Sequence, residues 1–192
     1  MRLADALKQI DDYIAQVEQE NERLRGSVSS LQQSAADAQN AVSSLQSELI
    51  KQTHVVNDLT RQQTTQRVIG VALCFDYQDI QYVFGGTWDT TKTFDCSAMM
   101  QICFKIGTQG KVLLPRTSHE QSLVGVAVDP SSIEVGDTLH YDFDGDGRIT
   151  HVGMAMGDGM MIHTNNPTND INIIAIADYN RSKLVAVRRH IL

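Results

Sequence analysis

Cys96 stands in the run Tyr82-Val83-Phe84-Gly85-Gly86 … Phe94-Asp95-Cys96-Ser97-Ala98, and His151 follows in a separate segment, Ile149-Thr150-His151-Val152-Gly153. Only the thiolate is a good sulfur nucleophile, and a free thiol ionises near about 8.5. Apolar residues at helical spacing (Met99, Ile102, Cys103, Ile106) follow Cys96 and stop at Gly107, so the spacing predicts a helix that opens at the thiol. Unpaired N–H groups and the helix dipole favour an anion there. His151, on a predicted strand facing that helix end, is the natural proton acceptor. His163, on the next predicted strand, can hold the His151 ring in one tautomer, a task that falls to Asn or Asp elsewhere. A cysteine and two histidines alone are weak evidence, since a satisfied structural histidine is commoner than a catalytic one. The flanking sequence has to discriminate.

The chain that must position these groups has 192 residues, 42% of them hydrophobic, and a net charge of −7 with histidine neutral. That suits one domain plus an extension. The acidic balance favours neither nucleic acid nor an anionic membrane as partner, and no apolar run reaches bilayer-spanning length. The three cysteines Cys74, Cys96 and Cys103 lack the spacing of a disulfide framework or a zinc knuckle. Cys74 and Cys103 are expected in the core.

Residues 1–66 read as a coiled-coil helix. Leu7, Ile14, Asn21, Val28, Ala35, Val42, Leu49 and Val56 occupy position a of a heptad, and Leu3, Ile10, Val17, Leu24, Leu31, Ala38, Leu45, Gln52 and Leu59 occupy d. The spacing never slips and no proline interrupts it, which predicts a rod about 85–90 Å long. β-branched residues at several a positions with leucine at most d positions favour a parallel dimer, Asn21 fixes register, and a trimer is the alternative. A single helix folding back on the rest of the chain is the competing reading.

Residues 67–192 read as a second domain. A short helix from Val68 to Phe75 leads to Tyr82, the Cys96 helix follows, and Pro115-Arg116 open another helical piece. Strands are predicted over 137–143, 148–156, 160–164, 171–176 and 184–190, with a tight hairpin turn at Asp158-Gly159. Helices first and an antiparallel sheet afterwards make an α+β domain.

Six landmarks now discriminate: Tyr82-Val83-Phe84-Gly85-Gly86, Phe94-Asp95-Cys96-Ser97, Leu114-Pro115-Arg116-Thr117-Ser118 with Gln121, Val135-Gly136-Asp137, His151-Val152-Gly153-Met154, and Gly157-Asp158-Gly159 through His163. In this order and at these spacings, residues 80–176 resemble the NlpC family of papain-like peptidoglycan endopeptidases. The resemblance implies a papain-like fold and an enzyme without a cofactor that cuts bacterial wall stem peptides. The usual bond joins D-γ-glutamyl to a diamino acid, meso-diaminopimelate or lysine. It implies Cys96 as nucleophile, with its backbone N–H donating to the oxyanion, His151 as general base and His163 as orienting residue. Tyr82, Asp95 and Ser97 are the implied substrate-binding residues. Ala98 replaces the usual glycine after Cys-Ser, and His140-Tyr141 stand where apolar or aromatic residues are usual. His140 is expected to be a partly exposed strand residue, and His119 a surface residue.

Asp142-x-Asp144-x-Asp146-Gly147 matches half of an EF-hand loop, but the twelfth position is Gly153, so it is no EF-hand. A solvated turn is the first reading, and a weak calcium site on Asp142, Asp144 and Asp146 the second. For function, a wall endopeptidase on an oligomeric rod competes with a structural assembly component whose papain-like module is inactive, and with a papain-like amidase. Cysteine before histidine excludes the permuted acyltransferase branch. The N-terminus has no secretory h-region, which with the rod suggests an enzyme carried to the cell wall in a phage tail or tail-like particle, or exported by a non-Sec route.

Overall fold

A computed structural model of the chain describes residues 3–78, 80–165, 171–179 and 181–192. Met1 and Arg2 of the expected rod, and residues 166–170 of the stretch with the family resemblance, lie outside the described residues. The chain divides into two units, Met1–Val56 and Asn57–Leu192. Among the described residues no helix is long and apolar enough to cross a membrane.

The first unit is helical throughout, part of α1 (Leu3–Tyr77). Its heptad residues are uncovered: Ile10, Leu24, Val28, Leu31, Leu45 and Leu49 are all exposed. An apolar stripe of this kind is compatible with a coiled coil, which would bury it against another helix.

In the second unit the end of α1 buries Thr65, Val68, Ala72 and Phe75, one stripe at spacings of three and four. The separate helix expected after Gln66 is therefore the last part of α1. Nothing between Gln62 and Arg67 breaks the backbone ladder, and Gly70 leaves open space around it. Cys74 is exposed, against expectation, because it lies off this stripe, whereas Cys103 is buried. Then come α2 (Trp88–Thr91), α3 (Cys96–Gly107) and α4 (Ser118–Gln121). Six strands follow: β1 (Val126–Ala127), β2 (Thr138–Tyr141), β3 (His151–Gly157), β4 (Met160–His163), β5 (Asn172–Ala175) and β6 (Leu184–Arg189). They form one antiparallel sheet in the order β1-β6-β2-β3-β4-β5. The sequence reading misses the short α2 and β1. The expected hairpin joins β3 to β4, with Asp158 and Gly159 both left-handed at φ 50° and 71°, as a primed turn demands.

Alternation along the strands separates two cores. Val152, Met154 and Ile162 pack with Met99, Cys103 and Phe104 of α3 and with Val68 and Phe75 of α1. Leu139, Tyr141, Ala155 and Met161 form a second cluster with Ile176 and Val187. Where α1 crosses α3, a Cβ on Gly107 would come within 2.5 Å of Val68 Cα. That approach is backbone to backbone, with no flexible side chain to yield. Gly107→Ala is expected to cost about 1–3 kcal/mol by forcing the helices apart, read as a lowered urea midpoint.

His140 is fully buried rather than partly exposed. Strand β2 is covered on both faces, and the ring bonds to Thr138 Oγ1 at 2.9 Å, which also meets His190 Nε2 at 3.0 Å. Burial, followed by the charge of His190, drives His140 from 6.5 down to about 3. Burial also takes His190 down to about 4. Both pKa values are depressed on folding, so below pH 6.5 the unfolded chain binds protons that the folded domain refuses. Stability is expected to fall as pH drops from about 6.5 toward 4, by at most about 1.4 kcal/mol per pH unit for each such histidine. Urea melts at pH 7 and 5 measure this, and His140→Gln should flatten the slope.

Candidate active site

Cys96 is the first residue of α3, and Asp95 caps the helix by accepting the Ala98 N–H at 2.9 Å. The carboxylate does more than cap. It accepts from the Ser97 hydroxyl (3.0 Å), the Gly85 N–H (3.1 Å) and both terminal nitrogens of Arg116 (2.7 and 3.0 Å). Arg116 also donates to Ser97 Oγ at 2.9 Å and to the Gly86 carbonyl at 3.0 Å. Gln121 fastens the same loop, its Nε2 donating to the carbonyls of Ser97 (2.9 Å) and Pro115 (2.8 Å). The capping box of Thr117 and Glu120 sets the direction of α4, which carries Gln121. Gly86 leaves room where a Cβ would lie 2.6 Å from Thr93 Oγ1. That room lets the Tyr82–Gly86 loop lie on Phe94, with the Val83 N–H donating to the Phe94 carbonyl at 3.1 Å.

The Cys96 sulfur is reached by the N–H groups of Cys96 and Ser97 and by that of Val152. Val152 is the residue after His151, so the thiol sits against the strand that carries the imidazole. His151 Nε2 pairs with His163 Nδ1 at 3.1 Å. The two rings stand at 84° with centroids 5.2 Å apart. Gly153 makes this possible, because a Cβ there would come within 3.2 Å of His163 Cβ and 3.1 Å of Met161 Sδ. Tyr141, Phe143 and Tyr179 surround His151, with centroids 6.1, 6.0 and 5.7 Å from it.

Electrostatics follow from burial. Burial pushes the Cys96 thiol up to about 11, with the Val152 N–H pulling the other way and the Asp95 charge adding to the rise. Burial, then the nearby His163 and His140, push His151 down to about 3. Burial takes His163 down to about 4. Burial would raise Asp95 as well, but the Arg116 hydrogen bonds, the Ala98 N–H and Ser97 outweigh it and hold the carboxyl below its usual range. Tyr82 is raised by burial and then by the neighbouring thiol. A buried thiol met by the N–H groups of Cys96, Ser97 and Val152, with the buried His151 imidazole on the residue before Val152, is suited to acyl transfer in which the proton leaves as sulfur attacks.

The sequence-predicted residues Tyr82, Asp95, Cys96, Ser97, His151 and His163 thus come together. Asp95 and Ser97 do so with their polar atoms already engaged by Arg116 and the helix start. The calcium candidates do not gather. Asp142 spends its carboxylate on the N–H groups of Gly145 (2.6 Å) and Gly147 (2.9 Å), and Asp146 accepts from Arg148 N–H. The acidic turn is closed on itself, and among the described residues no cluster of three His, Cys, Asp or Glu side chains could hold a metal. His119 is half-buried and accepts the Ile149 N–H. Three residues at the site carried no assigned role in the sequence. Arg116 and Gln121 stood only inside a landmark, and Tyr179 had no local signal. A cavity of about 610 Å³ lined by Arg61, Thr65, Ile133, Met160 and Leu184 shares none of these residues.

The profile of the NlpC/P60 family matches residues 79–189. The chain is 31% identical over 113 residues to the gamma-DL-glutamyl hydrolase of Bacillus subtilis (strain 168), a stretch covering 59% of this chain and 27% of that protein. It is 36% identical over 98 residues to the gamma-D-glutamyl-L-lysine dipeptidyl-peptidase of Bacillus cereus, covering 50% of this chain and 28% of the relative. The match therefore spans little more than a quarter of each relative's length. Among solved structures, an NlpC/P60 family protein from Bacillus cereus superposes with a TM-score of 0.56 at 28% identity, over 67% of this chain and 40% of the other. The helix opening at Cys96 and the antiparallel sheet behind it are thus the fold of known relatives, and the chain belongs to the NlpC/P60 family.

Proposed function

We propose that this protein is a cysteine endopeptidase of bacterial peptidoglycan, cutting stem peptides between D-γ-glutamyl and a diamino acid, meso-diaminopimelate or lysine. The observation that carries the reading is the Cys96 thiol at the first turn of α3, against the N–H that follows His151, with His151 bonded to His163. The names of two relatives, a gamma-DL-glutamyl hydrolase and a gamma-D-glutamyl-L-lysine dipeptidyl-peptidase, support the choice of bond.

In the proposed reaction Cys96 Sγ attacks the γ-carbonyl carbon while His151 accepts the thiol proton. The tetrahedral oxyanion is met by the Cys96 N–H at the helix start. His151 returns the proton to the leaving amine as the C–N bond breaks. Water, deprotonated by the same imidazole, then opens the thioester and releases the γ-glutamyl carboxylate. His163 keeps the His151 ring turned toward sulfur. Tyr82 contacts the peptide. Asp95 and Ser97, gripped by Arg116, fix the wall the peptide lies against.

The same reading gives α1 its purpose. Its exposed heptad seam pairs with copies of itself, a parallel dimer first and a trimer second, and presents the catalytic domains at the wall. Delivery within a phage tail or tail-like particle is the setting we propose, tested by whether the chain copurifies with such particles.

Digestion of purified peptidoglycan, with released peptides identified by mass spectrometry, tests the chemistry. Wild type should release fragments ending in γ-D-glutamate, and Cys96→Ser and His151→Ala should lose at least about 10³-fold in rate. His163→Ala should lose about 10–100-fold, with His163→Asn recovering much of it. Identical products from wild type and Cys96→Ser would leave a structural module. Cleavage at the glycan–peptide amide would make it an amidase. Light scattering of the full chain tests the rod. A dimer mass is expected, and Leu24→Asp with Leu31→Asp should reduce it to a monomer while the cleaved bond stays the same.

A further inference from the structure

The turn after β5 places Tyr179 over the two histidines. Its ring lies 4.5 Å from the His163 centroid, edge to face at 60°, and 5.7 Å from that of His151. It also meets Tyr141 at 5.2 Å and 87° and Phe143 at 5.8 Å and 85°. Asn165 Nδ2 donates to its hydroxyl at 3.0 Å. The phenol is near enough to Cys96 and to Tyr82 for their charges to bear on one another. The side chain therefore completes an aromatic box with Tyr141 and Phe143 around His151 and packs against both histidines of the His151–His163 bond.

We infer that Tyr179 is a positioning residue for the proposed reaction, its ring holding the His163 imidazole square to His151 and keeping water from the hydrogen bond between them. The role rests on the reading of His151 as base. An edge-to-face contact fixes a ring's tilt better than an aliphatic contact does. The titratable groups set against the pair are His140 and Tyr141 from β2 and Tyr179 itself, with Cys96 from α3 and Tyr82 from the loop before α2 bearing on the Tyr179 phenol. Among the described residues no carboxylate bears on either ring. Among the described residues, His163 is held by its hydrogen bond to His151 and by the aromatic packing around it. The same packing keeps the site dry, and dryness is the main cause of the low basicity of both imidazoles.

Imidazole titration by NMR on the full chain, without substrate, tests this against Tyr179→Phe and Tyr179→Ala. Wild type and Tyr179→Phe should keep His151 and His163 neutral to below about pH 5, since the ring and not the hydroxyl acts. Tyr179→Ala should raise at least one midpoint by about one pH unit or more. The acid limb of kcat on stem peptides should move up with it, kcat falling about tenfold with KM little changed. Should Tyr179→Ala fail to fold, Tyr179→Leu gives a smaller shift in the same direction. Midpoints equal to wild type in the folded variant would overturn the inference. Because that readout needs no turnover, a chain that cuts no wall peptide would defeat the proposed function while the midpoints still decide on Tyr179.

Discussion

Asp95 caps α3 with the carboxylate that also neutralises Arg116. These are separate demands, met only because a carboxylate has two oxygens with room for several donors. Oδ1 takes the Ala98 N–H, the Ser97 hydroxyl and one Arg116 nitrogen, while Oδ2 takes the Gly85 N–H and the other. Through Arg116 the pair also grips the Gly86 carbonyl. Three chain segments far apart in sequence, the Tyr82–Gly86 loop, the start of α3 and the loop before α4, thereby meet within one residue of Cys96. A half-buried pair of this kind is poor evidence of stability, since Asp95 lost its water to form it while Arg116 stays partly exposed. Its effect is on geometry: it sets where the first turn of α3 begins, and so where the thiol lies.

The sheet answers that helix from the other side, and glycine is what lets it approach. Gly153 admits the His163 side chain beside β3. Gly136, at φ 89°, would put a Cβ 2.6 Å from Thr65 Cγ2, and the Asp137 that follows holds Arg189 at 2.8 and 2.9 Å. Two of the landmarks that carried the family resemblance are thus places where backbone must come close to side chain. Helix α1 shows economy of a different sort. Thr65, Val68, Ala72 and Phe75, buried in the second unit, fall at positions c and f if the heptad register is continued. Those positions are opposite the a and d seam. The helix can pack its own domain with one face without spending the face that the coiled coil would need.

This division explains what could be read in advance. Heptads, the helix opening at Cys96, the β3–β4 hairpin and the strands that carry His151 and His163 are local or periodic, and the sequence displays them directly. The end of α1 could not be told from a new helix, because its apolar stripe changes face near Thr65 and a change of face looks like a change of element. His140 was misjudged because alternation along β2 marks one face as polar, whereas α4 and His190 cover that face from elsewhere in the chain. Arg116 reads as a surface arginine after a proline until the fold brings Asp95, 21 residues away, within 2.7 Å. Tyr179 is harder still, since its neighbours come from β2, β3 and β4 and no spacing announces them.

The charge balance at the thiol brings these constraints together. A negative Asp95 one residue from Cys96 opposes thiolate formation, and burial opposes it more strongly. Arg116 offsets the first, since it neutralises Asp95 and its charge also reaches the sulfur. The N–H groups of Val152, Ser97 and Cys96 offset the second only in part. The imidazole is as dry as the thiol, so a thiolate–imidazolium pair would place two charges where neither has water. Neutral partners are therefore the lower-energy arrangement in the resting site, and in the proposed reaction an arriving carbonyl accepts the sulfur's electrons and hands the developing charge to the N–H groups at the start of α3. In the proposed reaction Cys96 therefore depends on well-placed substrate to be activated, and we assign that placement to the Asp95–Arg116 clamp on one side and the aromatic box on the other.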